Sequence, residues 1–424
     1  MEGIRRLTSD AAASVPIESR WQVSEQDIVA FNPDWLVFWS DSIIASQLAV
    51  WLPYLRRSRY RFVVASGLDQ AKVGVGNLLD GIENVRLVTP VEALRFGLKD
   101  TPRFKGVLYP TSRPLNFAIV TMFPRRPHVW IGHGESEKLA SSPRTASMYD
   151  AVLMARLSGV ERFSPAIRGW LRGGACAIGA PIVEGLVRDP GPSPRPVKTL
   201  LYAPTWEGHQ PKTDYSSLSE VGPILTAALP ALQERGIRVV FRPHPGTGRR
   251  DPAYREHVKA LFEAGASRPG TKAEDYGAAD VMLSDVSGAT AEFLFTEKPV
   301  VVPVTAMAAA RGKDAESLAR EYPWAYRWPV ATTGLLEVLD GLGSSDPMRQ
   351  QRARSAADLY RGHRDLEHAT RTFDTALSCV GRRGTLIGVR RGFELKLRAP
   401  LVLRVLDRFR RSRRRRRASG RADE

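Results

Sequence analysis

Ala279–Val304 reads ADVMLSDVSGATAEFLFTEKPVVVPV: a short apolar run, a turn of small polar residues, a helical stretch, then a β-branched run. That order is strand, tight turn, helix and next strand, the repeating unit of a parallel α/β sheet. The turn sets Ser284, Asp285, Ser287, Gly288 and Thr290 at a helix start, where backbone N–H groups lack intrahelical partners and the dipole is positive. Hydroxyl donors and a glycine that permits close approach make such a turn a place to hold phosphate oxygens. One turn further, Glu292 is positioned to accept from ribose hydroxyls if it faces the same crevice. The plain alternative is an N-cap, with Asp285 or Ser287 satisfying helix N–H groups.

The same alternation runs outward in both directions. In the first half the predicted strands are Trp35–Trp39, Arg61–Ala65, Val85–Val88, Gly106–Tyr109, Val129–Gly132 and Ala151–Met154, with an apolar-rich helix over Ile43–Leu55. In the second half they are Thr199–Ala203, Val239–Arg242, Val281–Ser284 and Val300–Val304. Between the halves, Asp189–Lys198 reads DPGPSPRPVK, and four prolines in ten residues predict an extended linker without packed structure. The chain therefore divides into a polar leader (1–20), a first Rossmann-like domain (21–188), the linker (189–198), a second Rossmann-like domain (199–379) and a basic tail (380–424). A length of 424 residues also favours two cores over one.

Composition narrows the class. Charged residues at 25% exclude a multi-span membrane protein, and hydrophobic residues at 43% exclude a disordered chain. Two cysteines, Cys176 and Cys379, lack metal-like spacing and suit a reducing, cytoplasmic setting. No apolar stretch is long enough to span a bilayer helically. Of the net charge of +17, the tail supplies most: 380–424 holds 16 Lys and Arg against 4 Asp and Glu. The strong positive field thus belongs to the tail and points to an anionic surface.

Three further strand ends carry chemistry. Val239–Gly248, VVFRPHPGTG, delivers Arg242 and His244 beyond a strand's carboxyl end, where open α/β sheets bind ligands. Leu200–Gly208, LLYAPTWEG, places Thr205 to bind phosphate and Trp206 to wall a crevice or fill a core. Val129–Gly132 leads into His133-Gly134 and a polar stretch ending at Lys138. A histidine there can take a proton from a hydroxyl near neutral pH. Glycine alone would explain the turn. No metal-ligand cluster is visible in the sequence.

Taken in order over roughly Lys105–Phe373, these segments resemble the CDP-glycerol glycerophosphotransferase family of teichoic acid and capsule polymer synthesis. The motifs are His133-Gly134, Pro204-Thr205-Trp206, His244-Pro245, Asp285-Val286-Ser287 with Glu292, and Lys298-Pro299. The resemblance implies a GT-B fold, with a CDP-linked alcohol such as CDP-glycerol in the second domain and a lipid-linked or polymeric glycan acceptor in the first. It implies His133 as general base, supported by Gly134 and Lys138. Thr205, Arg242, His244, Ser287, Gly288, Thr290 and Glu292 would hold the donor, supported by Asp285. Charge stabilisation would then come from protein donors, with no cofactor. The chain departs from the family in Glu207, where Arg usually follows Pro-Thr-Trp, and in Asp285-Val286-Ser287-Gly288, usually Asp-Tyr-Ser-Ser. It also has Glu135, Ser136 and Glu137 in place of Thr-Pro-Leu. A nucleotide-sugar glycosyltransferase and a non-catalytic scaffold are the competing readings.

In the tail, Leu401, Val402, Val405, Leu406 and Phe409 fall on one helical face and Arg404, Arg408 and Arg411 on the other. Such a helix lies on a membrane, and Arg413, Arg414, Arg415, Arg416 and Arg417 add attraction to anionic lipid. The expected location is cytoplasmic, peripheral on the inner face of the cell membrane. Nucleic acid is disfavoured, because no stacking aromatics interleave the arginines.

Overall fold

The computed structural model describes residues 24–39, 46–66, 78–79, 81–88, 93–132, 134, 144–171, 174–208, 211 and 214–382. His133, Lys138 and the basic tail from 383 onward, Arg413–Arg417 included, lie outside the described residues.

Among the described residues, two wholly parallel sheets form. The first has seven strands: β1 Trp35–Trp39, β2 Phe62–Ser66, β3 Val85–Leu87, β4 Gly106–Tyr109, β5 His128–Trp130, β6 Ala151–Met154 and β7 Ala175–Ala177. Their order is β3-β2-β1-β4-β5-β6-β7, the doubly wound dinucleotide-fold order extended by one strand. The second sheet has five: β8 Thr199–Tyr202, β9 Arg238–Phe241, β10 Val281–Leu283, β11 Val300–Val304 and β12 Tyr326–Pro329. Its order, β12-β11-β10-β8-β9, reverses between β8 and β10, so the crevice at that switch point lies beyond their carboxyl ends. The inner strands are continuous hydrophobic runs for a physical reason: helices cover both faces of a parallel sheet, and every residue of β1 and β2 is buried.

The differences from the sequence reading follow from the same physics. The edge strands β7 and β12 escape a hydrophobic search because ACA is only half-buried and YRWP alternates exposed with buried. The helix expected over Ile43–Leu55 divides into Ser46–Ala49 and Leu52–Arg57 within the described residues. Pro53 has no N–H to continue a helix and is tolerated only in its first turn. β5 ends at Trp130, because Gly132 has φ +62 and leaves the strand conformation.

The linker is extended but not free. Arg195 pairs with Asp280 at 2.8 Å, and Asp280 also accepts from the Lys198 and Thr199 N–H groups. Ser193 bonds to Asp346, which pairs with the buried Arg352. The chain then recrosses: the Ala180 N–H donates to Leu359 O at 2.9 Å, and the last described helix, over 366–382, packs on the first sheet's side. There Phe373 stacks on Trp51 with centroids 5.4 Å apart, and Asp374 accepts from the Ser58 hydroxyl and the Arg59 N–H. Sequence order assigns this helix to the second domain, whereas its packing joins it to the first.

His363 sits at the recrossing, 2% exposed, with Nε2 3.1 Å from Thr372 Oγ1. A Cβ on Gly179, which has φ +81, would meet its Nδ1 at 2.8 Å. Burial lowers the pKa of His363 to about 4, with His368 and Arg361 adding repulsion and Asp365 opposing. The unfolded imidazole titrates near 6.5, so between these values only the unfolded chain takes up the proton. Stability from this group is complete above pH about 6.5 and is lost as pH falls towards 4. We predict that the thermal midpoint falls across that window and falls less steeply in His363→Gln; equal slopes would exclude His363 as the source.

Candidate functional site

The site is built at the carboxyl ends of β8, β9 and β10. Beyond β10 the chain turns through Ser284–Ser287, and Ser284 Oγ donates to Ala203 O at 2.7 Å, joining the ends of β10 and β8. Asp285 is the main tie. Its Oδ1 accepts the Thr205 N–H at 2.8 Å, and its Oδ2 accepts the Ser217 N–H at 2.8 Å and the Ser217 hydroxyl at 3.1 Å. A buried carboxylate meeting backbone donors in this way is a strong, charge-assisted contact. It crosses the switch point and fixes the start of the helix Leu218–Glu234.

Ser287 is the N-cap of the helix Gly288–Phe293, its hydroxyl accepting from the Ala289 N–H at 3.2 Å. The capping expected of Asp285 or Ser287 therefore falls to Ser287, while Asp285 turns inward. Thr290 is fully buried and donates to Asp285 O at 2.8 Å, so it holds the turn together from beneath. Gly288 begins the helix at the turn's surface.

Beyond β9, the His244 ring lies parallel to the Trp206 ring, centroids 5.8 Å apart at an interplanar angle of 10°. The Gly246 N–H points at His244 Nδ1 over 2.9 Å. That nitrogen is thus the acceptor, and the neutral ring carries its proton on Nε2. Thr205, at the end of β8, is buried at 1% exposure, and its carbonyl accepts from the Ser216 hydroxyl.

Two expected donor ligands have other work. Arg242 gives its guanidinium to Asp275, at 2.8 and 2.6 Å, and to Gly270 O. Glu292 accepts from Lys272 at 2.8 and 2.7 Å and from the Tyr276 hydroxyl. Both brace the helix Lys272–Ala278 against the site, and a donor contact from either would have to share or replace these bonds. Lys298 is likewise structural: it donates to Gly277 O and Ala279 O, closing the carboxyl end of that helix.

Sequence reasoning passed over Asp214, Ser217 and Tyr254. Asp214 accepts from the Tyr254 hydroxyl at 3.1 Å, pairs with Arg250 and accepts the Ser216 N–H. Burial pushes the Tyr254 hydroxyl up to about 12, so it stays a donor. The available signal was Asp214-Tyr215-Ser216-Ser217, small oxygen-bearing residues just before a long helix.

In the first domain, Gly134 has φ +130 and only open space where a Cβ would stand, so backbone conformation alone demands glycine there. Immediately before His133, the Trp51 indole N–H donates to Gly132 O at 2.7 Å. Among the described residues no cluster of three or more His, Cys, Asp or Glu is placed to hold a metal ion. Nor is any described helix long and apolar enough to cross a membrane.

Comparison with known proteins gives this site its context. Residues 186–376, which carry all the second-domain features above, match the family CDP-glycerol:poly(glycerophosphate) glycerophosphotransferase. No curated protein sequence matches the chain. Among solved structures, a UDP-N-acetylglucosamine 2-epimerase aligns with TM-score 0.51 at 13% identity, covering 83% of this chain and 97% of that one. At that identity the likeness is one of fold. The wall teichoic acid polymerase TagF aligns at TM-score 0.46 and 13% identity over 88% of this chain and 95% of its own. HepE of Anabaena, in complex with UDP, aligns at 0.49 and 13% identity over 81% and 99%. The fold is GT-B-like, and within it residues 186–376 are similar to the CDP-glycerol:poly(glycerophosphate) glycerophosphotransferase family.

Proposed function

We propose that the protein transfers glycerol phosphate, or a related alditol phosphate, from a CDP-linked donor to a hydroxyl of a lipid-linked or polymeric cell-surface glycan. The acceptor oxygen bonds to the phosphorus bearing the alditol, the bond from that phosphorus to the bridging oxygen breaks, and CMP leaves with the electron pair. His133, one residue past the anchored Gly132, takes the hydroxyl proton. His244 through Nε2–H, with Ser287 and Gly288 at the turn and Thr205 beside them, forms the donor cradle. Transfer of this kind needs in-line placement and neutralisation of developing charge more than covalent help, and we assign that neutralisation to these protein donors.

The observation that carries the reading is the convergence of the β8 and β10 ends, tied through Asp285, with His244 beyond β9 stacked on Trp206 beyond β8, within the segment that matches the family. Incubation with CDP-glycerol or CDP-ribitol and a membrane extract should release CMP, and His133→Ala should cut release by about a hundredfold or more. Undiminished release would remove His133 from the chemistry. Release of a nucleoside diphosphate with sugar transfer would replace the proposal with a glycosyltransferase.

Asp285→Ala removes the carboxylate acceptor of the Thr205 and Ser217 N–H groups and should cost about 3 kcal/mol of stability, a fall in melting midpoint of roughly 6–12 °C. An unchanged midpoint would show that the tie is dispensable.

We further place the protein on the inner membrane face through the tail, which keeps it beside a lipid-linked acceptor. Removing 383–424 should weaken binding to vesicles containing anionic lipid by roughly four-thousandfold at low salt, at about 1 kcal/mol per arginine of Arg413–Arg417. Turnover on a soluble acceptor should stay unchanged; its loss would give the tail a role beyond anchoring.

A further inference from the structure

Glu207 is fully buried at 0% exposure, and the groups that meet its carboxylate are main chain. Three backbone N–H groups donate to it: Gly248 on Oε2 at 3.1 Å, and Arg250 and Asp251 on Oε1 at 2.9 and 3.3 Å. The side chain of Arg250 goes to Asp214. A carboxylate at the end of β8 thus gathers the loop that follows β9, and backbone dipoles compensate its charge.

The consequence runs along the loop to His244. Gly248 has φ +74, and the gathered loop lays Gly246 on Trp206 so closely that a Cβ would sit 2.9 Å from the indole ring. The same indole faces the His244 ring. With Gly246 held there, its N–H reaches His244 Nδ1, and Thr247 N–H returns to His244 O at 2.9 Å. Without the tether, nothing in this chain of contacts obliges Gly246 to present its N–H, and Nδ1 can then carry the proton itself.

We propose that Glu207 is a positioning residue for the nucleotide donor. By gathering residues 248–251 it keeps the Gly246 N–H on His244 Nδ1, and so obliges His244 to offer Nε2–H, a hydrogen-bond donor, to a phosphate oxygen. The proposal rests on the reading of the strand ends as the donor cradle. It makes His244 a fixed donor and not a base, and it makes a buried negative charge part of the machinery that receives a negatively charged substrate.

Glu207→Gln tests this with little change of shape. One oxygen can still serve Arg250 and Asp251, but the amide NH2 then opposes the Gly248 N–H, donor against donor. The full-length protein is labelled with ¹⁵N-histidine, and the ring signal of His244 is assigned by its disappearance in His244→Gln. The wild type should show the Nε2–H tautomer, and Glu207→Gln should show a mixture of tautomers while its melting curve stays cooperative. Glu207→Ala should enlarge the change; if that variant does not fold, the Gln variant still decides. In transfer assays Glu207→Gln should raise the donor KM about tenfold and leave the acceptor KM unchanged. A wild-type Nδ1–H tautomer, or a tautomer unmoved in Glu207→Gln, overturns the proposal. A wild type inactive with every CDP-linked donor would instead overturn the cradle reading, and the tautomer measurement would still decide what Glu207 does.

Discussion

The second domain depends on one carboxylate crossing a gap between strands. Parallel strands end in loops that have no hydrogen-bond ladder of their own, so the loops that leave β8 and β10 beyond Ala203 and Ser284 diverge at the switch point, where the winding changes direction. Asp285, on the loop after β10, closes that gap by accepting from Thr205 and Ser217, at the two ends of the connection that follows β8. Backbone N–H groups are costly to bury unpaired, and one side chain here satisfies two of them together with a hydroxyl. The Thr290 hydroxyl then secures the carbonyl of the same residue. Around that centre the remaining polar residues fall into place as supports: Asp214 under the helix start, Lys298 under Gly277 and Ala279, Arg242 against Asp275.

A pattern of carboxylates recurs. Asp285, Glu207, Asp214 and Asp280 all lie in the second domain, and each accepts from at least one backbone N–H. Side chains with two acceptor oxygens and no donor are suited to closing loops whose N–H groups point inward. The fold therefore tolerates buried acidic residues at the strand ends, because their lone pairs are already committed to the main chain. It also explains why Glu207 can stand where the family usually has arginine without leaving an uncompensated charge.

How much of this was legible in the sequence varied with the physics that encodes it. Buried parallel strands announce themselves, since WLVFW and FVVAS have no solvent face to keep polar. Edge strands such as YRWP do not, because half of each is wet. The motif residues Thr205, His244, Asp285 and Ser287 were readable as strand-end chemistry, and the structure brings the ends that carry them together. What a one-dimensional reading could not separate was ligand from brace. Arg242 and Glu292 have the right chemistry for a nucleotide, yet their partners Asp275, Lys272 and Tyr276 lie 16 to 33 residues away and are met only once the helix Lys272–Ala278 has packed. The helix over 366–382 shows a related limit: sequence order places it after the second sheet, but Phe373 finds its apolar partner in Trp51, in the first domain.

That aromatic pair has a mechanical meaning. Trp51 clasps Phe373 with one face while its indole N–H grips the carbonyl of Gly132, the residue before His133. The last described helix, 366–382, is thereby coupled to the segment that leads into the first domain's histidine, through a single rigid ring. Severing the linker would consequently not yield two self-sufficient halves: the later half would keep a helix whose apolar side had lost its wall, and the earlier half would be left with an open trough beneath Trp51 and Tyr54. The two lobes are interleaved, and any hinge between them must bend where the strands of chain pass each other at Ala180 and Leu359.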